Sequence, residues 1–296
     1  MVVLFIKEIP YKAEVLAAIK NGFTCLSYSH EKMVKKGVQA SLKDLPVFDA
    51  QQNAMLRGGV VPPDLYKAIF TFLAERKNIK LVNSPDQYLE TCSIVNHYAK
   101  VQKFAAKTVW TDNIKNAHLI AKSAFGDGKK LMLKDYMRSV KYQRKEAYDI
   151  SDSGSVINVN NALQSFIEAK KGNIEGGFVF SEYIPFKKLA PYPLPGTNQP
   201  LYEEFRLWFF RKKLLLKTGY FEELKIYDRK LKKEELTPFL ELAKSIESDF
   251  FVMDLARKKD NSLNVLELNP GQTSGINYYY HYQFYKALSD ACFVSQ

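Results

Sequence analysis

Cysteine and histidine are scarce in this sequence. The 296 residues contain three cysteines (Cys25, Cys92 and Cys292), far apart and without Cys-x-x-Cys spacing, and four equally scattered histidines. A sparse, odd number of cysteines argues against a disulfide framework or a zinc site and favours a reducing compartment. The histidines show no His-x-x-x-His or Ser/His/Asp constellation, so we do not expect catalysis of those types.

Long hydrophobic runs are also missing. No stretch approaches about 18 consecutive apolar residues, which argues against a membrane-spanning helix and a membrane partner. The first residues, MVVLFIKEIPYKAEV, lack the order of charged, apolar and small residues that is typical of a signal peptide. Apolar residues make up 46% and charged residues 25% of the chain, which is typical of a folded globular protein. We therefore expect a cytoplasmic globular protein.

Positive charge exceeds negative charge. Lysine and arginine number 43 against 32 aspartates and glutamates, a formal net charge of +11. Such an excess favours anionic partners such as nucleotides, acidic substrates or nucleic acid. The basic residues concentrate at 129–145 and 206–233. A solvated basic face without any partner is the alternative interpretation.

Strand and helix patterns alternate at the start of the chain. VVLFI predicts a strand, EVLAAIKNGF a helix that ends at Gly22, VVPPDLYKAIFTFLAERK a second helix, and KLVNSP another strand. This order predicts an α/β unit with a parallel sheet over residues 1–95.

The pattern changes from about residue 96, where helices alternate with strands in a less regular order. The segment APYPLPGTNQP at 190–200 contains four of the twelve prolines and predicts a loop or a joint between subdomains. We therefore predict an α/β (α+β) fold with three parts, 1–95, 96–190 and 191–296.

Two strong strand patterns lie near the C-terminus. They are DFFVMDLAR and SLNVLEL, and KKDN separates them. Asp260 and Asn261 both tolerate positive φ, so we predict a two-residue turn at this pair. In that register Asp254 lies directly opposite Glu267, and Asn269 lies on the same face of the hairpin.

The predicted opposition of two carboxylates needs a physical explanation. Their Cβ atoms would lie about 5 Å apart, so the charges should repel. A hard divalent cation converts this repulsion into binding, because Mg²⁺ takes carboxylate and amide oxygens together with water and phosphate oxygens. Asp254, Glu267 and Asn269 therefore form a candidate metal site. The alternative is a solvent-exposed hairpin face on which the charges point at water.

This C-terminal pattern resembles the magnesium site of the ATP-grasp superfamily. The resemblance consists of Asp254, the triplet Glu267-Leu-Asn269 and the Pro-Gly-x-x-Ser-Gly loop that follows it. In that superfamily the three ligands hold two Mg²⁺ ions that bridge the phosphates of ATP. The resemblance therefore implies ATP and Mg²⁺ as cofactors, with Mn²⁺ as an alternative ion. It also implies an ATP-grasp fold, in which an N-terminal α/β pre-grasp domain precedes two α+β subdomains that enclose ATP.

Three further segments resemble parts of the ATP-grasp site. KKLMLKDYMRS resembles the strand whose lysine, here Lys134, reaches the phosphates. EEFRLWFF resembles the strand whose arginine, here Arg206, faces the transferred phosphoryl group. GFVFSEYIPF resembles the strand that leads to the hinge beside adenine, which implies as hinge residues Glu182, Tyr183 and Ile184.

Within the superfamily, the sequence is most similar to a phage and bacterial clade named for two arginines and a lysine. MLRGGVV supplies Arg57 as the first arginine, and Lys134 and Arg206 complete the set. The similarity covers about 55–275. Val252 is a departure, because many relatives have an arginine at this position.

A second departure lies in the loop that covers the phosphates. Many relatives have a glycine-rich loop there, whereas this chain has the basic, glycine-poor MRSVKYQRKEAYDISDSGS. Side chains would then replace the glycine backbone as phosphate ligands, and the candidates are Arg138, Ser139 and Lys141.

The resemblance implies a ligase. A substrate carboxylate attacks the γ-phosphorus of ATP, and an amine captures the acylphosphate to give an amide or peptide bond, ADP and phosphate. Lys134, Arg206 and Arg57 are the implied catalytic residues. The loop residues Gly271, Ser274 and Gly275 would border the acceptor pocket.

A different acceptor would fit the basic composition. The same ATP site could serve an RNA ligase or RNA repair enzyme, with the basic segments forming a groove for the strand. The aromatic cluster NYYYHYQFY at 277–285 would supply stacking surfaces in such a groove. Packing of this cluster against the core is the alternative.

Overall fold

The structure is a computed structural model that describes residues 1–9, 11–137, 149–193, 200–221 and 231–293. The chain forms two compact units. The first unit consists of Met1–Cys92, Glu204–Asp254 and Glu267–Gln296. The second unit consists of Ser93–Glu203 and Leu255–Leu266.

The first unit begins with a four-stranded parallel sheet. Its strands are β1 (Val2–Ile6), β2 (Thr24–Tyr28), β3 (Gln52–Arg57) and β4 (Ile79–Leu81), in the order β2-β1-β3-β4. All five residues of β1 are buried, as expected for an apolar run inside a parallel sheet. The predicted α/β unit with a parallel sheet is therefore confirmed in this part of the chain.

Five helices connect or follow these strands. They are α1 (Lys12–Lys20), α2 (His30–Lys36), α3 (Val38–Leu42), α4 (Pro63–Lys77) and α5 (Pro85–Cys92). Proline is tolerated in the first turn of α4, because backbone N–H groups there have no partner within the helix and the missing N–H of proline costs no hydrogen bond. The helix ends at Asn78, which takes the left-handed conformation common at helix C-termini.

The second unit contains an antiparallel sheet covered by helices. The helices are α6 (Ile94–Val101), α7 (Ala117–Phe125) and α8 (Val156–Ala169). The strands are β5 (Thr108–Thr111), β6 (Leu131–Asp135), β7 (Asp149–Ile150) and β8 (Phe178–Glu182), in the order β5-β8-β6-β7. Leu131 and Leu133 of β6 join a core with α7 and α8, so Met132 and Lys134 point to the opposite face.

The proline-rich segment is more ordered than the sequence predicts. The strands β9 (Lys188–Pro193) and β10 (Pro200–Tyr202) form a two-stranded antiparallel ribbon. The prediction of a loop over 190–200 is therefore wrong at both ends, and residues 194–199 lie outside the described residues. Proline is compatible with such a ribbon because each strand has an edge that needs no ladder hydrogen bond.

The last part of the chain forms a second sheet that belongs to the first unit, except for the hairpin residues Leu255–Leu266, which belong to the second unit. Its elements are β11 (Glu204–Phe210), β12 (Lys213–Gly219), α9 (Lys233–Ser245), β13 (Phe250–Arg257), β14 (Leu263–Pro270) and α10 (His281–Phe293). The strand order is β12-β11-β13-β14, and β11 and β12 are antiparallel with a bulge after Trp208.

One hydrophobic core joins the two ends of the sequence in the first unit. Val3 and Phe5 of β1 belong to the same buried cluster as Trp208, Phe250 and Phe284. The Trp208 and Phe284 rings meet edge to face with their centroids 4.9 Å apart. Regions distant in sequence thus share a core, and the boundaries at 95/96 and 190/191 stay a prediction.

The C-terminal aromatic cluster divides between core and surface. Phe284 and Tyr285 are fully buried, whereas Tyr279 and Tyr282 are about half exposed. Packing therefore accounts for part of the cluster. Across the ranges described above, no helix combines the length and the apolar character needed to cross a membrane.

Asn83 connects the two sheets of the first unit and yields a test of the fold. Its fully buried side chain donates to the carbonyl of Phe250 (2.8 Å) and accepts from the N–H of Phe250 (2.9 Å). Asn83→Leu removes both bonds, so we expect it to lower the free energy of unfolding by about 2–4 kcal/mol. Urea denaturation measures the loss. Asn53→Leu, at an exposed position of β3, is the control and should change stability little; equal losses would contradict the role of Asn83.

Candidate functional site

The twelve predicted site residues fall into two groups. Eight belong to the first unit: Arg57, Arg206, Asp254, Glu267, Asn269, Gly271, Ser274 and Gly275. Four belong to the second unit: Lys134, Glu182, Tyr183 and Ile184.

Arg206 and Asp254 form a two-point ion pair at the centre of the first group. Nε of Arg206 donates to Oδ1 of Asp254 (2.8 Å), and Nη2 donates to Oδ2 (2.7 Å). Burial lowers the pKa of Arg206, but the charges of Asp254 and, more weakly, Glu267 outweigh it, so the pKa lies above its usual value. Arg206 is therefore a permanent cation that is paired with Asp254.

The hairpin turn differs from the prediction. The N–H of Lys258 donates to the carbonyl of Ser262 (2.8 Å), and the N–H of Asn261 donates to Lys258 (3.0 Å). Because Lys258 pairs with Ser262, the loop between the strands has three residues, 259–261, and Asn261 takes the left-handed conformation at φ +68°. The predicted two-residue turn is therefore wrong. With Lys258 and Ser262 as the last pair before the loop, the register no longer places Asp254 directly opposite Glu267. Asp254 and Glu267 nevertheless lie on neighbouring strands, because β13 and β14 are adjacent in the sheet.

The burial of this hairpin contradicts the alternative in which its charged face points at water. Every residue of β13 is buried, including Asp254, while Glu267 and Asn269 of β14 are partly buried. A buried carboxylate requires a charged partner or a metal. Asp254 forms an ion pair with Arg206, and it is therefore not a surface charge that points at water.

The donor atoms fit a magnesium ion that is shared with phosphates. An ionised carboxylate offers about four lone pairs, so the two bonds from Arg206 do not exhaust Asp254. Glu267 and Asn269 supply further oxygens. Within the described ranges, no group of three or more His, Cys, Asp or Glu side chains is placed to hold a metal. Two carboxylates and an amide are nevertheless what Mg²⁺ needs when phosphates and water complete its shell. The metal site stays a prediction.

A cavity of about 320 Å³ opens beside Arg206. It is lined by Arg206, Trp208, Thr218, Gly219, Tyr220, Gly275, Ile276 and Asn277. The guanidinium lies over the Tyr220 ring, 4.8 Å from its centroid, which fixes the orientation of Arg206 from a second side. Among the described residues that line it, one is a cation and none carries a carboxylate, so this part of the cavity suits an anionic or neutral small group.

Arg57 lies inside the protein. It is 2% exposed, and its Nε donates to Oε1 of Glu14 at 2.6 Å. Its Nη1 contacts the carbonyls of Gly271 (3.3 Å), Gln272 (3.0 Å) and Ser274 (2.8 Å). The described contacts of Arg57 hold it to Glu14 and to the loop 271–275, and its catalytic role stays a prediction.

The loop 271–275 is shaped by close packing at its first residue. A Cβ added to Gly271 would lie 2.8 Å from ring atoms of Phe250, so only glycine fits. The buried side chain of Gln272 donates to the Tyr66 hydroxyl at 2.5 Å. Around Gly275, by contrast, an added Cβ would meet open space. The loop is therefore packed at its start and open at Gly275, which lines the cavity.

Lys134 lies on β6 of the second unit, with its side chain partly buried and paired across the sheet with Val179. The next residue, Asp135, is fully buried. It forms an ion pair with Lys170 (2.6 Å) and accepts from the N–H of Met137 (3.0 Å) and of Glu175 (3.3 Å). Asp135 thereby fixes the chain that follows Lys134. Arg138, Ser139 and Lys141 lie outside the described residues.

The predicted adenine hinge follows β8. The N–H of Glu182 donates to Lys107, and the N–H of Tyr183 donates to Lys130, each at 2.9 Å. The N–H of Ile184 has no acceptor among the residues that the structure describes. Of the three hinge amides, this one is the donor that a nucleobase could use. Tyr183 also lines a cavity of about 430 Å³ with Pro185, Phe186, Lys187, Lys188, Tyr202 and Lys259.

Sequence reasoning missed the partners of both arginines. Glu14 and Tyr285 hold Arg57, because the Tyr285 hydroxyl donates to the same Glu14 oxygen at 2.8 Å. One signal was available: Glu14 lies three and four residues before Ala17 and Ala18, which places an acid on the apolar face of α1. Tyr220, which lies against Arg206, had no comparable signal.

A double-mutant cycle tests the ion pair of Arg206 and Asp254. We expect Arg206→Gln and Asp254→Asn each to destabilise the protein by about 3–5 kcal/mol, because each leaves the other charge buried without its partner. The double variant should lose less than the sum of the two. Urea denaturation provides the three values. Strictly additive losses would mean that the two side chains do not stabilise each other.

Solved structures with this fold include several ligases. A RimK-domain ATP-grasp protein from Sphaerobacter thermophilus is 10% identical, with 98% of each chain covered and a TM-score of 0.62. N5-carboxyaminoimidazole synthetase from Staphylococcus aureus, in complex with ADP, is 11% identical, with 97% of this chain and 76% of that chain covered and a TM-score of 0.58. The ATP-grasp ligase PsnB, in complex with a variant of its minimal precursor, Mg and ADP, is 12% identical, with 98% and 95% covered and a TM-score of 0.54.

At these identities the likeness shows the fold, and the predicted ATP-grasp fold is thereby confirmed. No curated protein matches the sequence. A family model matches residues 124–289, which is more than half of the chain, and it describes an ATP-grasp domain. The model is that of family 3 in the clade named for two arginines and a lysine, so the predicted clade is confirmed as well. The chain belongs to the ATP-grasp superfamily, in the third family of this clade.

Proposed function

We propose that this protein is an ATP- and Mg²⁺-dependent ligase that activates a carboxylate and joins it to an amine. The observation that carries the proposal is the cluster of Arg206, Asp254 and Glu267 beside a cavity, in a chain of the ATP-grasp superfamily. Such a cluster supplies fixed charge where phosphoryl groups react, which is the main requirement of phosphoryl transfer.

In this proposal the second unit supplies nucleotide contacts. Lys134 neutralises phosphate charge, and the N–H of Ile184 donates to the adenine. Asp135 supports Lys134 indirectly, because it fixes the main chain that follows β6. A lysine is suited to phosphate as a compact charge with three donors.

The metal would be held by Asp254, Glu267 and Asn269 together with phosphate oxygens. When bound, Mg²⁺ neutralises the phosphates so that an anionic nucleophile can approach them. The superfamily pattern implies two ions, and Mn²⁺ would fit the same oxygens.

Arg206 has donors left for a reacting group. Three of its N–H groups donate to Asp254 and Gly275, and a guanidinium has five. The remaining two, one on each terminal nitrogen, have no acceptor in the described part of the chain, and the side chain is 14% exposed. Charged guanidinium N–H groups are strong donors to a phosphoryl or carboxylate group.

The proposed reaction has two steps. A carboxylate oxygen of the first substrate attacks the γ-phosphorus, the bond to the β-phosphate oxygen breaks, and ADP leaves. The amine of the second substrate then attacks the acyl carbon, the bond to the phosphate oxygen breaks, and phosphate leaves with the amide formed. Arg206 stabilises the transferred group, and no side chain of the protein becomes covalently modified.

Peptides and their amino-acid building blocks are the substrate class that the comparisons favour, because PsnB has been solved with a precursor peptide. The reported relatives bring no support for RNA, and much of the two basic segments lies outside the described residues. The RNA-end alternative therefore has no observation in its favour. A cytoplasmic location, where ATP is available, is part of the proposal.

The identity of the products is the direct test. Incubation with ATP, Mg²⁺ and a mixture of the twenty standard amino acids should release ADP and phosphate, and omission of the amino acids should lower the rate by about tenfold or more. Chromatography of the nucleotides and mass spectrometry of the amino-acid pool measure both products. Formation of AMP, or ADP release that only RNA ends stimulate, would overturn the amide-ligase proposal.

A metal-ligand variant tests the magnesium site separately from the acceptor. With Mg²⁺ present, Glu267→Gln should weaken ATP binding by about tenfold, or about 1.4 kcal/mol. The two proteins should bind ATP similarly in EDTA, because the lost carboxylate acts through the ion. Glu75→Gln, an exposed acid of α4, is the control and should bind like the unmodified protein. Calorimetry measures the affinities, and unchanged binding by Glu267→Gln in Mg²⁺ would exclude the metal assignment.

A further inference from the structure

Two arginines hold one loop through its main chain. Arg57 binds the carbonyls of Gly271, Gln272 and Ser274, and Arg206 binds the carbonyl of Gly275 at 3.0 Å. The two side chains differ in exposure, because Arg57 is 2% exposed and Arg206 is 14% exposed. The loop 271–275 therefore has one support inside the core and one at the cavity.

The inner support is fixed by its own partners. Glu14 accepts from Arg57 (2.6 Å) and from the Tyr285 hydroxyl (2.8 Å), and all three side chains are buried. Burial lowers the pKa of Arg57, but the charge of Glu14 outweighs it and the pKa ends above its usual value. Arg57 therefore stays charged, and its guanidinium cannot turn toward a substrate without leaving Glu14 buried and unpaired.

The remaining loop contacts transmit this support to the cavity. Gly271 lies against the Phe250 ring and Gln272 is bonded to Tyr66, so the first half of the loop has little freedom. Three residues later the chain reaches Gly275, Ile276 and Asn277, which line the cavity beside Arg206. The position of that wall consequently depends on the carbonyls that Arg57 binds.

We propose that Arg57 is a positioning residue, which fixes the loop 271–275 and thereby the wall of the cavity beside Arg206 in which the acceptor carboxylate binds, without contacting any substrate. The part that concerns the substrate rests on the proposed function. The part that concerns the loop does not, because it requires neither ATP nor an acceptor.

The variant of choice is Arg57→Lys. Lysine keeps the charge for Glu14 but has a single nitrogen, so it cannot serve Glu14 and three carbonyls in the same geometry. Arg57→Met would leave the Glu14 carboxylate buried without a cationic partner and is expected to unfold the unit. Lys77→Arg is the matched control, because Lys77 is a buried cation of the same unit that binds the carbonyls of Lys43 and Leu45.

Amide hydrogen exchange of the protein alone tests the loop. We expect Arg57→Lys to speed exchange in peptides that cover 271–277 by about tenfold, with the rest of the first unit unchanged. Lys77→Arg should leave that segment at the rate of the unmodified protein. Unchanged exchange at 271–277 in Arg57→Lys would overturn the proposal. An equal increase throughout the unit would overturn it too, because it would show a general loss of stability.

Kinetics test the effect on the substrates. We expect Arg57→Lys to raise the amino-acid concentration that gives half-maximal ADP release by about tenfold, with that for ATP changed by less than about threefold. A matching rise for ATP, or no rise for amino acids, would contradict the proposed effect on the cavity wall. If the unmodified protein is not stimulated by amino acids at all, the proposed function is wrong, while the exchange result still decides whether Arg57 positions the loop.

Gly271→Ala perturbs the same loop from a different side. The added methyl group would collide with Phe250, so this variant should also speed exchange at 271–277 although Arg57 is intact. Exchange that is unaffected by Gly271→Ala would show that the loop does not depend on its packed start, which contradicts the proposed route from Arg57 to the cavity.

Discussion

The buried ion pair of Arg57 and Glu14 holds four parts of the first unit together at one point. Glu14 belongs to α1, Arg57 to β3 and Tyr285 to α10, and the guanidinium also reaches the loop after β14. Removing two charges from water costs several kcal/mol each, so such a pair is stable only when further hydrogen bonds satisfy both groups. Here the carbonyls of the loop complete that set. The loop conformation and the ion pair therefore require each other.

The second arginine meets a different electrostatic requirement. Asp254 and Glu267 both act on Arg206, and without a cation near them the two carboxylates would be unfavourable in a partly buried place. Arg206 provides that cation permanently, whereas a metal ion would arrive and leave with a nucleotide. This arrangement explains how Asp254, a ligand of the proposed metal site, can be buried in a stable protein. It also implies that a metal would share Asp254 with Arg206, which brings an immobile charge close to the reacting phosphate.

The sequence predicted local elements well and long-range contacts poorly. β1, the parallel sheet and both strands of the C-terminal hairpin follow from apolar patterns that act over a few residues. The turn was wrong because Asn261 in the left-handed conformation forms a three-residue loop in place of the pair Asp260–Asn261. The resemblance identified Arg57, but not its burial, because its partner Glu14 lies 43 residues away and the loop more than 200. Such pairings depend on the tertiary fold and leave no local pattern.

Part of the net charge of +11 has a structural role, as the contacts of individual lysines show. Several lysines in the described part of the chain are structural: Lys77 binds two carbonyls, Lys170 is paired with Asp135, and Lys212 binds the carbonyl of Ile246. A lysine that serves main-chain carbonyls has no acid as its partner, so it adds to the net charge without adding to a surface for a polyanion. Excess positive charge is thus weak evidence for a nucleic-acid groove. A small number of well-placed cations is enough for the phosphates of one nucleotide, because their effect depends on fixed positions and low exposure to water rather than on their number.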